Sequence, residues 1–171
     1  MIIEERVERS QYVKLITWIV SFIILMAGIG FPVLILWVNQ DMMSKVIGAS
    51  VLCLIFFTLI FTVAYQPRKL ILSETHIIME RILGQVYISY SDITDISLYH
   101  RENVAEIRIF GIGGLGGYIG KFYNSKIGFY TAYVGDYSQA FLIKINNREK
   151  YVMSCRHAEK IVEEVKSRLK Q

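Results

Sequence analysis

The sequence predicts a two-helix transmembrane hairpin followed by a mainly-β domain that closes with one α-helix. Three observations carry this. Residues Leu15 to Val38 contain no Asp, Glu, Lys, Arg or His, and neither do residues Val46 to Tyr65. After Gln66-Pro67 the texture changes to short alternating segments rich in Ile, Val, Tyr and Phe. From His157 to Lys170 the apolar period becomes helical.

Taken in order, residues 1–14 form an N-terminal segment ahead of the first span. From Glu4 to Lys14 it is as acidic as it is basic. That balance, the length of the following run and the lack of a small-x-small site speak for a retained anchor rather than a cleaved signal. Residues 15–38 and 46–65 are the two spans. Roughly 20 apolar residues at about 1.5 Å each cross a hydrocarbon core of about 30 Å. A chain of 171 residues has no soluble core able to wrap two helices that are apolar on every face. Trp18 and Trp37 lie near the ends of the first span, where indole rings favour the interface. Pro32 removes a backbone donor and predicts a kink near Gly28 to Gly30.

The connector from Asn39 to Lys45 is short, so the helices run antiparallel and both termini share one side. Arg6, Arg9 and Lys14 before the first helix, with Arg68 and Lys69 after the second, outnumber Lys45 in the connector. The positive-inside rule then puts both termini in the cytoplasm. With no ionisable residue in either span, anchoring is a simpler role than transport. Gly28 and Gly30, with Gly48, Ala49 and Ser50 opposite, would allow close approach of the two helices or of separate copies.

In the domain, strands are expected near Lys69–Ser73, His76–Arg81, Val86–Tyr90, Ile93–Tyr99, Ala105–Phe110, Ile127–Val134, Ala140–Asn146 and Lys150–Ser154. Turn chemistry separates them at Ser73-Glu74, Leu83-Gly84-Gln85, Gly135-Asp136 and Asn146-Asn147. On the closing helix, 157–170, Ala158, Ile161, Val162, Val165 and Leu169 share one face, with Glu159, Lys160, Glu163, Glu164 and Lys166 on the other. The pattern suggests a small, strongly bent sheet or barrel whose open end the helix plugs.

The motif Ala105-Glu106-Ile107-Arg108-Ile109-Phe110-Gly111 leads into a glycine run. It is followed by Gly120-Lys121-Phe122-Tyr123-Asn124 and, before the last helix, Lys150-Tyr151-Val152-Met153-Ser154-Cys155. With the two spans ahead of it, this series resembles the bacterial pleckstrin-homology-like family over most of residues 67–169. The resemblance implies two roughly orthogonal antiparallel sheets capped by the C-terminal helix, at the bacterial inner (plasma) membrane. Eight strands exceed that fold's seven, which predicts one split or spurious strand. The motifs mark a family and not an activity.

The glycine run Gly111 to Gly120 is the oddest feature of the domain. Gly120-Lys121 is followed by Phe122 and not by Ser or Thr before a helix, so the run is no phosphate loop, and no parallel strand-helix-strand unit makes it a dinucleotide fingerprint. Two readings remain. Gly113, Gly114, Gly116 and Gly117 could form an anion nest beside Arg108, Lys121 and Lys126, suited to a lipid phosphate. The run could equally be a hairpin loop whose glycines permit positive φ, and the sparse charge favours this. The aromatics Phe122, Tyr123, Phe129, Tyr130, Tyr133 and Tyr137 read mainly as core and cross-strand pairs, a minority as an interfacial surface.

Residues 66–171 carry fifteen Lys or Arg against eleven Asp or Glu, a net of +4. This is too mild and too scattered for nucleic acid. His76, His100 and His157 are isolated, and Cys53 and Cys155 fall in different parts of the chain, so no disulfide, metal set or catalytic constellation is expected and no cofactor is implied. The function expected is a non-enzymatic, membrane-anchored adaptor or scaffold that binds a protein partner or itself. The alternative is a binder of anionic lipid headgroups.

Overall fold

The computed structural model describes residues 2–30, 33–34, 37, 41–101, 106–146 and 149–169. The N-terminal segment is not a plain leader to the first helix. Ile3–Arg6 form a strand, β1, whose alternating burial turns Ile3 and Glu5 inward. Helix α1 follows at Gln11–Ile23, with Ser10 as N-cap accepting the Val13 amide at 3.2 Å. The helix continues as a π-helical stretch, Ile24–Ile29. Such a widened turn is a common site of helix bending; Pro32, expected to cause a kink here, lies outside the described residues. Helix α2, Met42–Ala64, is 23 residues long, starts at the Asp41 cap, and buries only Gly48 and Thr62. Gly28 faces α2 closely enough that a Cβ there would lie 2.8 Å from Ile55 Cδ1, whereas Gly30 has nothing within 4 Å.

The domain consists of β2 (Pro67–Leu72), β3 (His76–Arg81), β4 (Gln85–Ser89), β5 (Ile93–Tyr99), β6 (Glu106–Gly113), β7 (Tyr118–Asn124), β8 (Gly128–Val134), β9 (Ala140–Ile145), β10 (Lys150–Ser154) and helix α3 (Ala158–Leu169). All eight expected strand regions are strands, so none is spurious, although Ala105 lies outside the described residues. Two further strands, β1 and β7, complete a four-stranded sheet, β1-β2-β3-β4, and a six-stranded one, β5-β9-β10-β8-β7-β6. The larger sheet is not wholly antiparallel: β10 and β8 pair in parallel, Val152 opposite Ala132. That arrangement follows from β9 and β10 forming a hairpin that slots between β5 and β8.

The main core lies between the two sheets and α3. Leu70, Leu72, Ile77 and Met79 meet Ile96, Phe141, Ile143 and Met153, and α3 adds Ala158, Ile161, Val162 and Val165. Each Ile or Val fully buried there contributes about 1.5–3 kcal/mol. Leu169 packs partly buried against this core, while Glu159, Lys160, Glu163 and Lys166 are exposed. A second core, with Tyr99, Phe122, Tyr130, Val134, Leu142 and Val152, covers the other face of the six-stranded sheet. Burial on both faces explains the unbroken apolar run Ala140 to Ile143 in β9. Of the aromatics singled out in sequence, Phe122 and Tyr130 are buried, Tyr123, Tyr133 and Tyr137 half-buried, and Phe129 exposed.

Candidate interaction surface at the glycine hairpin

Most of the glycine run is strand. β6 extends through Gly113 and β7 begins at Tyr118, so the loop shrinks to Gly114–Gly117, closed by the Gly114 amide donating to the Gly117 carbonyl at 2.9 Å. Gly111 and Gly120 stand opposite each other in the ladder, both at φ +122. A Cβ on Gly111 would lie 2.1 Å from the Ile119 carbonyl oxygen, and one on Gly120 2.3 Å from that of Phe110. Only glycine fits this close crossing of two strands.

The tip of the hairpin docks on the helices. Thr17 of α1 accepts the Gly116 amide at 2.8 Å, and its hydroxyl lies 2.6 Å from the Val13 carbonyl oxygen and 3.3 Å from that of Gly114. Gly116 also abuts Gln66, a buried polar residue just past α2. Ile112 shares a small apolar cleft with Phe57, Thr58, Phe61 and Thr62 of α2. At the end of α2 the Leu83 amide in the β3–β4 turn donates to the Ala64 carbonyl at 2.8 Å, one of the carbonyls that a helix C-terminus leaves open. Arg81 lies over the rings of Tyr65 and Tyr133, at 5.1 and 5.6 Å. From the N-terminal side, Ser10 donates its amide to the Gly135 carbonyl and Val7 to that of Arg68. The helices and the domain therefore meet through buried contacts rather than through a free linker.

The basic residues singled out with the run do not converge. Arg108 is exposed on β6, with its guanidinium near Gly113. Lys121 is exposed on β7, opposite Phe110. Lys126 sits in the β7–β8 turn, its amide held by the Asn124 side chain at 2.9 Å, at the far end of β7 from the glycine turn. Two of the amides that would build a nest, those of Gly114 and Gly116, are already bonded to Gly117 and Thr17. The Arg108 guanidinium reaches Gly113 beside the tip, Lys121 stands at the middle of β7, and Lys126 belongs to the opposite pole.

Two features were not read from the sequence. β6 is an edge strand whose side chains Ile107, Ile109 and Phe110 are exposed, Phe110 by 73%. A bulge between Arg108 and Phe110 breaks the alternation that would have turned some of them inward. Ile109-Phe110, two adjacent apolar residues in an otherwise alternating strand, is the only signal the sequence offered. The second feature is a polar cluster at the second core. Glu106, its side chain 3% exposed, pairs with Arg101 Nε at 2.8 Å and accepts the hydroxyls of Tyr99 and Tyr130. Arg101 lies over the rings of Tyr118 and Tyr137. Burial, reinforced by the Glu106 carboxylate, pushes the Tyr99 phenol up to about 12, and burial raises Tyr130 and Tyr137 as well. At neutral pH the Tyr99 and Tyr130 phenols are donors to the Glu106 carboxylate, an arrangement that holds structure together.

Among the described residues, no group of three or more His, Cys, Asp or Glu is placed to hold a metal ion. A depression between the Glu74–Thr75 turn, Ser89–Ser91 and the end of α3 contains Arg168. That guanidinium is engaged with Glu164 at 2.8 Å and with the Ser73 carbonyl.

Compared with known proteins, the chain matches a family model described as Bacterial PH domain over residues 68–169. No curated protein and no solved structure matches it.

Proposed function

We propose that the chain, which belongs to the bacterial PH domain family, is a non-catalytic interaction module held at the cytoplasmic face of a bacterial inner membrane by a two-helix anchor. The observation that carries this reading is α2. It has a mean hydropathy of 2.6 over its most apolar window, and only 11% of that window is buried. A helix that apolar and that uncovered needs an apolar solvent, and the described residues of the chain do not supply one.

The companion crossing is inferred from connectivity. β1 precedes α1, β2 follows α2, and the two strands share a ladder from Ile3 opposite Leu72 to Arg6 opposite Lys69. Two strands held on one side of a bilayer need an even number of crossings between them, which supports reading the segment from Leu15 to Val38 as the companion crossing to α2. The excess of Lys and Arg beside β1 and β2 favours the cytoplasm as that side.

The domain would present its surface to a protein partner or to a second copy of itself. A second reading, contact with anionic headgroups, is favoured by Arg108 and Lys121, both exposed on the hairpin whose tip meets the helices. In-membrane crosslinking of the full-length protein, followed by mass spectrometry, separates them. A protein crosslink that survives Lys121→Glu supports the module reading. Loss of binding to phosphatidylglycerol nanodiscs in Arg108→Glu/Lys121→Glu, steep in salt, supports the headgroup reading. Release of the full chain from membranes by alkaline carbonate would sink the anchor itself.

A further inference from the structure

We infer that the apolar β3–β4 turn and the exposed apolar side chains of β6 form a foot that wedges into the lipid headgroup layer beside the helix base and fixes how the domain sits on the bilayer; this rests on the anchored reading above. The first argument is one of length. α2 has 23 residues, about 34 Å at about 1.5 Å each, against a hydrocarbon core of about 30 Å. Almost no helix is left over at its end. Yet Ile112 of the β6–β7 hairpin lies against Phe57, Thr58, Phe61 and Thr62, the last two turns of that helix. The same hairpin meets α1 at Ile16 and Thr17, just inside the uncharged run. Both helices thus place the tip at the lipid boundary.

The side chains nearby suit that position. Ile109 and Phe110, a short way up β6 from Ile112, are exposed by 54% and 73%, and Ile82 and Leu83, in the turn bonded to Ala64, by 52% and 58%. Water-facing turns and edge strands are ordinarily polar, so an apolar turn and an apolar stretch of edge strand beside one apolar helix mark a surface covered by something apolar. Arg108 and Lys121 stand beside Phe110 and can reach phosphates while their stems lie along the acyl boundary. Depth is limited by β6 itself. Its outer edge has no partner strand among the described residues, and an unpaired edge is not tolerated in hydrocarbon, so the foot rests in the wet interfacial layer. The occupant is therefore a phospholipid surface, not a soluble ligand.

The test uses the full chain in vesicles of phosphatidylethanolamine and phosphatidylglycerol, with a nitroxide on native Cys53 or, in a Cys53→Ala background, on Leu83→Cys, Phe110→Cys or Ser125→Cys. Ser125 lies at the far end of β7. Positions 83 and 110 are expected to collide severalfold more with oxygen and less with an aqueous nickel chelate than position 125. If Cys53 is lipid-exposed while 83 and 110 match 125, the foot is wrong and the anchor stands. Spin-spin broadening at 110 without lipid exposure would replace the lipid by a second copy and overturn the inference. If Cys53 itself is aqueous, both readings fall.

Discussion

Thr17 Oγ1 lies 2.8 Å from the amide of Gly116, ninety-nine residues further along the chain, and accepts its hydrogen bond. This bond ties the first turns of an apolar helix to the tip of a hairpin in the β domain. Thr17→Val keeps the shape and removes the acceptor, leaving a buried amide unpaired at a cost of about 1–3 kcal/mol. The denaturation midpoint of the full chain in mild detergent should fall accordingly, and Thr17→Ser should stay near wild type. Equal midpoints for the Val and Ser variants would mean that the docking contributes nothing.

The glycines of the run should divide by what a Cβ meets. Gly116→Ala at φ +73 drives into the Gln66 amide at 1.9 Å, the movable end of a side chain. Adding Gln66→Ala should recover the steric part and leave the left-handed cost of about 1–2 kcal/mol. Gly111→Ala meets backbone instead, so no second substitution rescues it and the loss is larger. Gly113→Ala, 3.5 Å from the Arg108 side chain, should be mild. Thermal melts of the four variants check the order.

The N-terminal strand predicts the effect of truncation. β1 covers the edge of β2, Ile3 and Val7 pack against the main core, Arg6 accepts the Arg156 amide at 3.0 Å, and Glu5 bonds His157. Deleting residues 2–7 should lower stability by several kcal/mol and expose the β2 edge to pairing with other copies. Light scattering of the purified chain would register the aggregation. A monomeric, fully stable truncation would contradict the role assigned to β1.

The fold was legible wherever periodicity was long enough to read. The face of α3 from Ala158 to Leu169 repeats over three turns, and the Ile, Val and Tyr alternation after Pro67 marks the strands. β1 was hidden because Ile3-Glu4-Glu5-Arg6 is short and charged, and its inward Glu5 is matched by a histidine far along the chain. β7 was hidden because glycines at 111 and 120 look like loop until their close crossing is seen. The parallel pairing of β8 with β10 has no local signature, since it depends on where the β9–β10 hairpin inserts. At the candidate surface, residue type pointed to the glycine run and to Arg108 and Lys121. Only the ladder separates Lys126 from them, and only the bulge before Phe110 exposes the apolar edge.

Alkaline pH should weaken the domain through the cluster around Glu106. The Tyr99 phenol ionises near 10.0 in the unfolded chain and at about 12 in the folded one. Below pH 10 both states carry the neutral phenol and its contribution is fully present. Above it the unfolded state ionises first, so stability falls until the folded phenol follows at about 12. Urea midpoints between pH 9 and 12 should trace this fall, and Tyr99→Phe should make it shallower, the raised Tyr130 and Tyr137 phenols keeping the remainder. An unchanged slope in the variant would remove Tyr99 from the alkaline transition.

Thiol accessibility tests the crossing and the domain at once. Cys155 is 1% exposed, and burial pushes its thiol up to about 12, so it offers no thiolate near neutral pH while the domain is folded. Cys53 is exposed on α2, within the stretch proposed to cross the bilayer, where a water-borne reagent does not reach it. Against these two silent cysteines, Met43→Cys, on an exposed position at the start of α2, and Ser125→Cys in the β7–β8 turn report the two sides of the membrane. A membrane-impermeant maleimide added to intact cells should label position 43 and spare 125, and permeabilisation should add 125. Denaturant should then release Cys53 and Cys155. Labelling of 125 in intact cells would invert the topology. Rapid labelling of Cys53 there would take α2 out of the bilayer, while the burial of Cys155 would remain a property of the domain alone.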